Sequence, residues 1–242
     1  MCNVQTMKRE METIRMNPRK YFRENIEAFN DLTKFEAHEL LKLLFSCIGY
    51  GSEFKFAFIK VATVLNQGKL QDLPDIGWVY YYNIMALHER YNEMIDLSQA
   101  LYLESHKRAV DLGDHELAAR ALIGVATCLD MKGNATEALE IMKNVLKMTP
   151  RIYDHGVLGE IFANFAKIKN ATKDFEGILM AFETAGNHFR QVENYKGYIN
   201  YCVYLGNVAI FMIDLGKKDD AERYITEMLS LYDEDDFLLL TQ

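Results

Sequence analysis

Two Asp-His pairs stand forty residues apart: Asp114-His115 in LGDHELAAR and Asp154-His155 in IYDHGVLGE. Carboxylates and imidazoles are the side chains that hold transition metals and move protons. One ion bound by both pairs would need both histidines within coordination distance. If each pair opens a helix, two such helices packed side by side hold the histidines roughly 10 Å apart, which is too far. The spacing suits a structural unit written twice. An Asp just before a helix accepts a backbone N–H and meets the positive helix end. Asp114 and Asp154 are therefore read as caps, with His115 and His155 in the first turns that follow.

Other catalytic signatures do not emerge. The chain has no HExxH, GxSxG, Walker loop or GxGxxG. GYGSEF at 49–54 follows no strand and lacks the Lys-Ser/Thr of a phosphate loop. His38-Glu39 and His88-Glu89 each lack the second histidine a zincin needs. No enzymatic activity and no cofactor or metal is expected.

The elements that position these residues repeat. Stepping by forty from Asp114 reaches Asp154 and Asn194 in one direction, Pro74 and Lys34 in the other, each at a break between amphipathic stretches. The intervals read as helix pairs at about 34–72, 74–113, 114–153, 154–193 and 194–233. Residues 118–150 give the clearest pair. Leu122, Val125, Ala126 and Leu129 form one helical stripe, Gly133-Asn134 a stop, and Ala138, Met142, Val145 and Leu146 a second stripe, before Pro150. Residues 204–232 follow the same plan. There Leu205, Val208, Ala209 and Met212 precede Gly216, and Ala221, Ile225 and Met228 follow it. The expected organisation is a basic helical cap at 1–32, a helical-repeat domain at 33–233 and an acidic, apolar tail at 234–242.

Stacked helix pairs line a concave face with the first helix of each unit. Aligned by the break that follows each helix, Asn83, Asn164 and Asn207 fall at about the same place on that face. Asparagine is a mediocre helix former. Its amide donates and accepts, so three of them could hold the main chain of an extended peptide; equally, they could bond one another or neighbouring helix ends. Arg120, Thr127, Glu160, Lys167 and Asp214 are further inner-face candidates, Arg120 as a fork for a carboxylate. In the helix at 77–94 the aromatics Trp78, Tyr80, Tyr81 and Tyr82 run all round. Some must pack between units, and the others, Tyr82 among them, offer the groove apolar area with a hydroxyl.

The 242 residues carry a formal net charge of −8, which argues against a nucleic-acid surface over the whole chain. Residues 1–23 carry a basic excess, and Asp233, Glu234, Asp235 and Asp236 lie near the end of the chain. Cys2, Cys47, Cys128 and Cys202 form no CxxC pair, as in a reducing compartment. No apolar run is long enough to span a membrane and the N-terminus lacks the apolar core of a signal peptide, so a cytoplasmic location is expected.

The unit at 118–150, with its Leu, small residue, Gly, Ala, bulky residue and late Pro, resembles a tetratricopeptide (TPR) repeat. The forty-residue pairs, the mid-helix asparagines, HELLKLLFSCIGYGSEFKFAFIKV before a tyrosine-rich helix, and YLESHKRAVDLGDHEL extend that likeness. Together they resemble the peptide-sensing domains of Gram-positive quorum-sensing receptors of the Rap, Rgg and PlcR type. Among these the arbitrium receptors of Bacillus phages are most similar. The resemblance implies an all-α, right-handed superhelix of about five TPR-like hairpins whose groove binds a short peptide. Peptide binding would change dimerisation or partner contacts, and Asn83, Asn164 and Asn207 match the family's peptide-gripping asparagines in kind and position. Such receptors usually begin with a helix-turn-helix domain. Here about thirty residues precede the first unit, too few for that three-helix fold, so direct DNA binding is not expected. A protein–protein scaffold or inhibitor, holding a partner's helix or tail without peptide signalling, is the alternative. The apolar Phe237, Leu238, Leu239 and Leu240 could pack as a capping turn or against a second copy.

Overall fold

In the computed structural model, residues 73–192 and 195–231 are described, together with Leu41, Lys42 and Phe45; of Tyr195 and Lys196 only the backbone is considered. The expected cap at 1–32, the tail at 234–242 and nearly all of the unit at 34–72 lie outside them. Every described element is a helix. In chain order these are α1 Asp75–Tyr91, α2 Ile95–Asp111, α3 His115–Met131, α4 Ala135–Leu146, a 3-10 turn Thr149–Arg151, α5 His155–Ala171, α6 Ile178–Phe189, α7 Tyr195–Asp214 and α8 Lys218–Leu231. The odd-numbered helices begin at Asp75, His115, His155 and Tyr195, forty residues apart each time.

The helix ends explain that regularity. After α2, α3 and α7 the chain turns through Gly113, Gly133 and Gly216, with φ of 71°, 80° and 73°. In each case the next N–H reaches back to the carbonyl five residues earlier: Asp114 to Ala109, Asn134 to Leu129, Lys217 to Met212, all at 2.9 Å. Glycine enters this left-handed region without a Cβ penalty. Glu93 (φ 62°) after α1 and Lys173 (φ 58°) after α5 make the same excursion without being glycine. At the other end Asp114 Oδ1 accepts from Leu117 N at 2.9 Å and Asp154 Oδ1 from Val157 N at 3.0 Å. The recurring Asp-His pair thus marks two helix starts. Pro150 falls in the 3-10 turn that ends the α4 segment.

Two compact units divide the chain, Met1–Cys128 with Asn194–Lys196, and Leu129–Glu193 with Gly197–Gln242. In the first, α2 packs on α1 through two buried serines. Ser98 Oγ donates to Ala86 O at 2.7 Å, and Ser105 Oγ to Val79 O at 2.9 Å. Serines seven residues apart on one helix thus bond carbonyls seven residues apart on an antiparallel one, and their small size lets the backbones approach. Gly124 of α3 lies against the buried ring of Tyr102, where an added Cβ would stand 2.5 Å from a ring carbon. Burial pushes the Tyr102 hydroxyl up to about 12.

In the second unit, α5 packs on α4 and α6, and a core of Ile178, Phe182, Phe189, Tyr204, Leu205 and Phe211 joins α6 to α7. Gly159 faces the Phe189 ring, and Gly186 faces Tyr204, where an added Cβ would stand 2.6 Å from a ring carbon. At the end of α6, Arg190 Nε donates to Tyr201 Oη at 2.9 Å, and that hydroxyl donates to Glu227 Oε1 on α8 at 2.6 Å. Three helices are tied by one phenol.

Candidate functional site

Helices α5 and α7 run parallel as neighbours, tied near both ends. Asn200 Nδ2 donates to Glu160 Oε1 at 3.5 Å, and Asn170 Nδ2 donates to Asp214 Oδ2 at 3.1 Å. Between these ties, residues at three- and four-residue steps share one face of each helix: Glu160, Asn164 and Lys167 on α5, and Asn200, Val203, Asn207 and Ile210 on α7. Val203 and Ile210 are 53% and 59% exposed, which no interior packing explains. Asn164 and Asn207 are half-buried and Lys167 is exposed. Asn164 Nδ2 bonds its own helix at Glu160 O, 2.8 Å away. Among the described residues its amide oxygen has no partner, nor do the side chains of Asn207 and Lys167. The face therefore presents the amides of Asn164 and Asn207, one cation and two aliphatic side chains, with the Glu160 carboxylate bonded by Asn200.

Asn83 belongs elsewhere. It is 3% exposed, and its amide donates to Ser105 Oγ and, at 3.2 Å, to Val79 O. In place of the expected inner-face position, Asn83 is buried in the α1–α2 contact, with its amide engaged by Ser105 and Val79.

The other expected residues of the first unit are engaged locally. Tyr82 clusters with Trp78 at 5.8 Å and Tyr81 at 5.6 Å, beneath the Arg108 guanidinium 5.2 Å from its ring. Tyr80 instead packs against Phe45 at 5.3 Å. Burial, then the neighbouring Tyr82, raises the Tyr81 hydroxyl above its ordinary value. Arg120 lies with its guanidinium 5.5 Å from the Phe45 ring, a stacking rather than the open fork the sequence invited. Thr127 Oγ1 donates to Ile123 O of its own helix at 2.8 Å.

Among the described residues no group of three His, Cys, Asp or Glu could hold an ion. His155 meets a residue that the forty-residue comparison had not singled out, His188 on α6, Nδ1 to Nδ1 at 2.8 Å. Asn200 was also missed. It stands five residues into α7, as Glu160 does into α5, so the repeat register itself carried the signal.

No protein-family model matches the chain, and no curated protein matches it in sequence. Among solved structures, the crystal structure of BtubC (BKLC) from P. vanneervenii is similar, with a TM-score of 0.57 at 14% identity, covering 94% of this chain and 89% of that one. At that identity the likeness is one of fold.

Proposed function

We propose that this chain is an intracellular regulatory receptor or adaptor that binds an extended peptide segment on the α5–α7 face and changes its contact with a partner when it does so. The observation that carries this reading is the pairing of amides with exposed aliphatics: Asn164 and Asn207 beside Val203 and Ile210, on helices fixed in register by Asn200–Glu160 and Asn170–Asp214. An extended chain has a free N–H and C=O at every residue, which amides satisfy, and aliphatic side chains that Val203 and Ile210 can cover. Binding needs no cofactor, and the role is one of recognition rather than catalysis. The reading includes a TPR-like stacking of about five pairs into a right-handed superhelix, as in the quorum-sensing receptors and the arbitrium receptors that the sequence resembles. It places Glu160 and Lys167 in the peptide site with the two asparagines, and it leaves direct DNA binding to another chain. Any homodimer contact would lie in the C-terminal segment, outside the described residues. Cys128 and Cys202 are buried and outside any disulfide, which accords with a reducing cytoplasm.

The exposed row Val203, Ile210 and Ile213 on α7 favours a second reading, a scaffold whose face takes a partner's amphipathic helix. Panning five- to eight-residue peptides against the full chain, followed by calorimetry on the selected sequences, separates the two. A selected peptide whose affinity falls about tenfold in Asn164→Ala supports peptide sensing. Selection of nothing, together with a stable co-purifying protein lost in Ile210→Asp, supports the scaffold.

A further inference from the structure

The antiparallel pair α5–α6 carries a contact that peptide binding does not use. His155 is the first residue of α5 and His188 the last but one of α6. Their ring centroids lie 5.1 Å apart, tilted by 33°, and the Nδ1 atoms are 2.8 Å from each other. Phe162 of α5 stacks on His188, 6.0 Å away at 9°, which adds a hydrocarbon ring to the imidazole's surroundings. A hydrogen bond between two Nδ1 atoms needs a proton on one and a lone pair on the other. The donor ring can take up a further proton at Nε2 without disturbing it. The accepting ring cannot be protonated without putting a proton on its Nδ1, after which two N–H groups and two positive charges face each other at hydrogen-bond distance.

We propose that His155 and His188 form a proton-operated latch between the start of α5 and the end of α6, closed while the pair holds at most one ionising proton and opened by the second. Two charged groups flank the pair in sequence, Asp154 and Arg190. Asp154, on the α5 side, caps Val157 N through Oδ1. Arg190, on the α6 side, is drawn to Tyr201 on α7 and Glu227 on α8. Burial, and then the charge of His155, lowers the His188 imidazole below its ordinary 6.5, so the second proton arrives on the acid side of that value. Glu160 lies little more than a turn beyond His155, so opening loosens the part of α5 that carries it. The latch stands or falls independently of any peptide.

The test is an imidazole ¹⁵N NMR titration of the full chain beside hydrogen exchange of the first-turn amides of α5, Val157 and Leu158, corrected for intrinsic rate. The latch requires two coupled titrations, one displaced to the acid side of 6.5, with protection of Val157 and Leu158 falling at least tenfold across it. In His155→Phe the His188 titration moves back towards its ordinary value and the acid-linked loss of protection disappears. If that variant does not fold, the unmodified chain decides alone. Two independent titrations at the ordinary value, or protection unchanged through the lower one, would overturn the proposal.

Discussion

Asn200 donates its amide to Glu160 across 3.5 Å, and the two residues occupy the same place in successive forty-residue units, each five residues into its helix. The bond fixes α5 and α7 at matching heights. The half-buried Asn164 and Asn207 then stand on one face with Val203 and Ile210.

Asn207→Ala removes an amide that holds nothing within the described fold. Urea unfolding should change by no more than about 0.5 kcal/mol. Affinity for a selected peptide should fall about tenfold, as expected for the loss of one or two hydrogen bonds worth about 0.5–1.5 kcal/mol each. Calorimetry and urea melts on the same preparation check both halves.

Asn83→Ala should behave in the opposite way. It strips Ser105 Oγ and Val79 O of a buried donor, at a cost of about 1–3 kcal/mol. Peptide affinity, measured below the unfolding transition, should not move. A variant that loses binding while keeping its stability would return Asn83 to the ligand face.

Lys173 is held at a φ of 58°, where a Cβ is unfavourable. Lys173→Gly should raise stability by about 0.5–1 kcal/mol, whereas Lys173→Ala should leave it nearly unchanged. Thermal melts of the two variants separate backbone relief from loss of charge.

Gly124→Ala places a methyl 2.5 Å from the Tyr102 ring. Overpacking of this kind costs about 1–3 kcal/mol. Combining it with Tyr102→Leu should cost less than the sum of the two single changes, which a double-mutant cycle in urea measures.

Tyr201 is pushed up to about 12, first by burial and then by its hydrogen bond to Glu227. A phenol held above its ordinary 10 favours the folded state below pH 10, and that contribution is lost as pH rises from 10 through 12. Stability of the unmodified chain should therefore decline over that alkaline window. Tyr201→Phe should lessen the decline, a difference that melts at pH 9 and 11 reveal.

The helix pairs from residue 74 onward were legible because their signals are local. Asp114 and Asp154 announce helix starts, while Gly133 and Gly216 announce stops. The equivalent stops at Glu93 and Lys173 were silent in the sequence, since neither side chain prefers a left-handed turn and the surrounding packing imposes it. The asparagines were half legible. Counting from helix ends put all three on one inner face, but it carries no information about which helix packs over α1, and it is α2, through Ser105, that buries Asn83. The partner of His155 could not be read at all, because α6 crosses α5 at a point set by where Gly159 receives Phe189 and no periodicity encodes that crossing.

The glycines seated under rings at Gly124, Gly159 and Gly186 leave no smaller residue to retreat to. Any lineage that replaces one of them must first shrink the facing Tyr102, Phe189 or Tyr204, accept a void for a time, and only then gain the methyl that fills it. The order of such exchanges is imposed by volume, so these three pairs should act as ratchets in the history of the sequence.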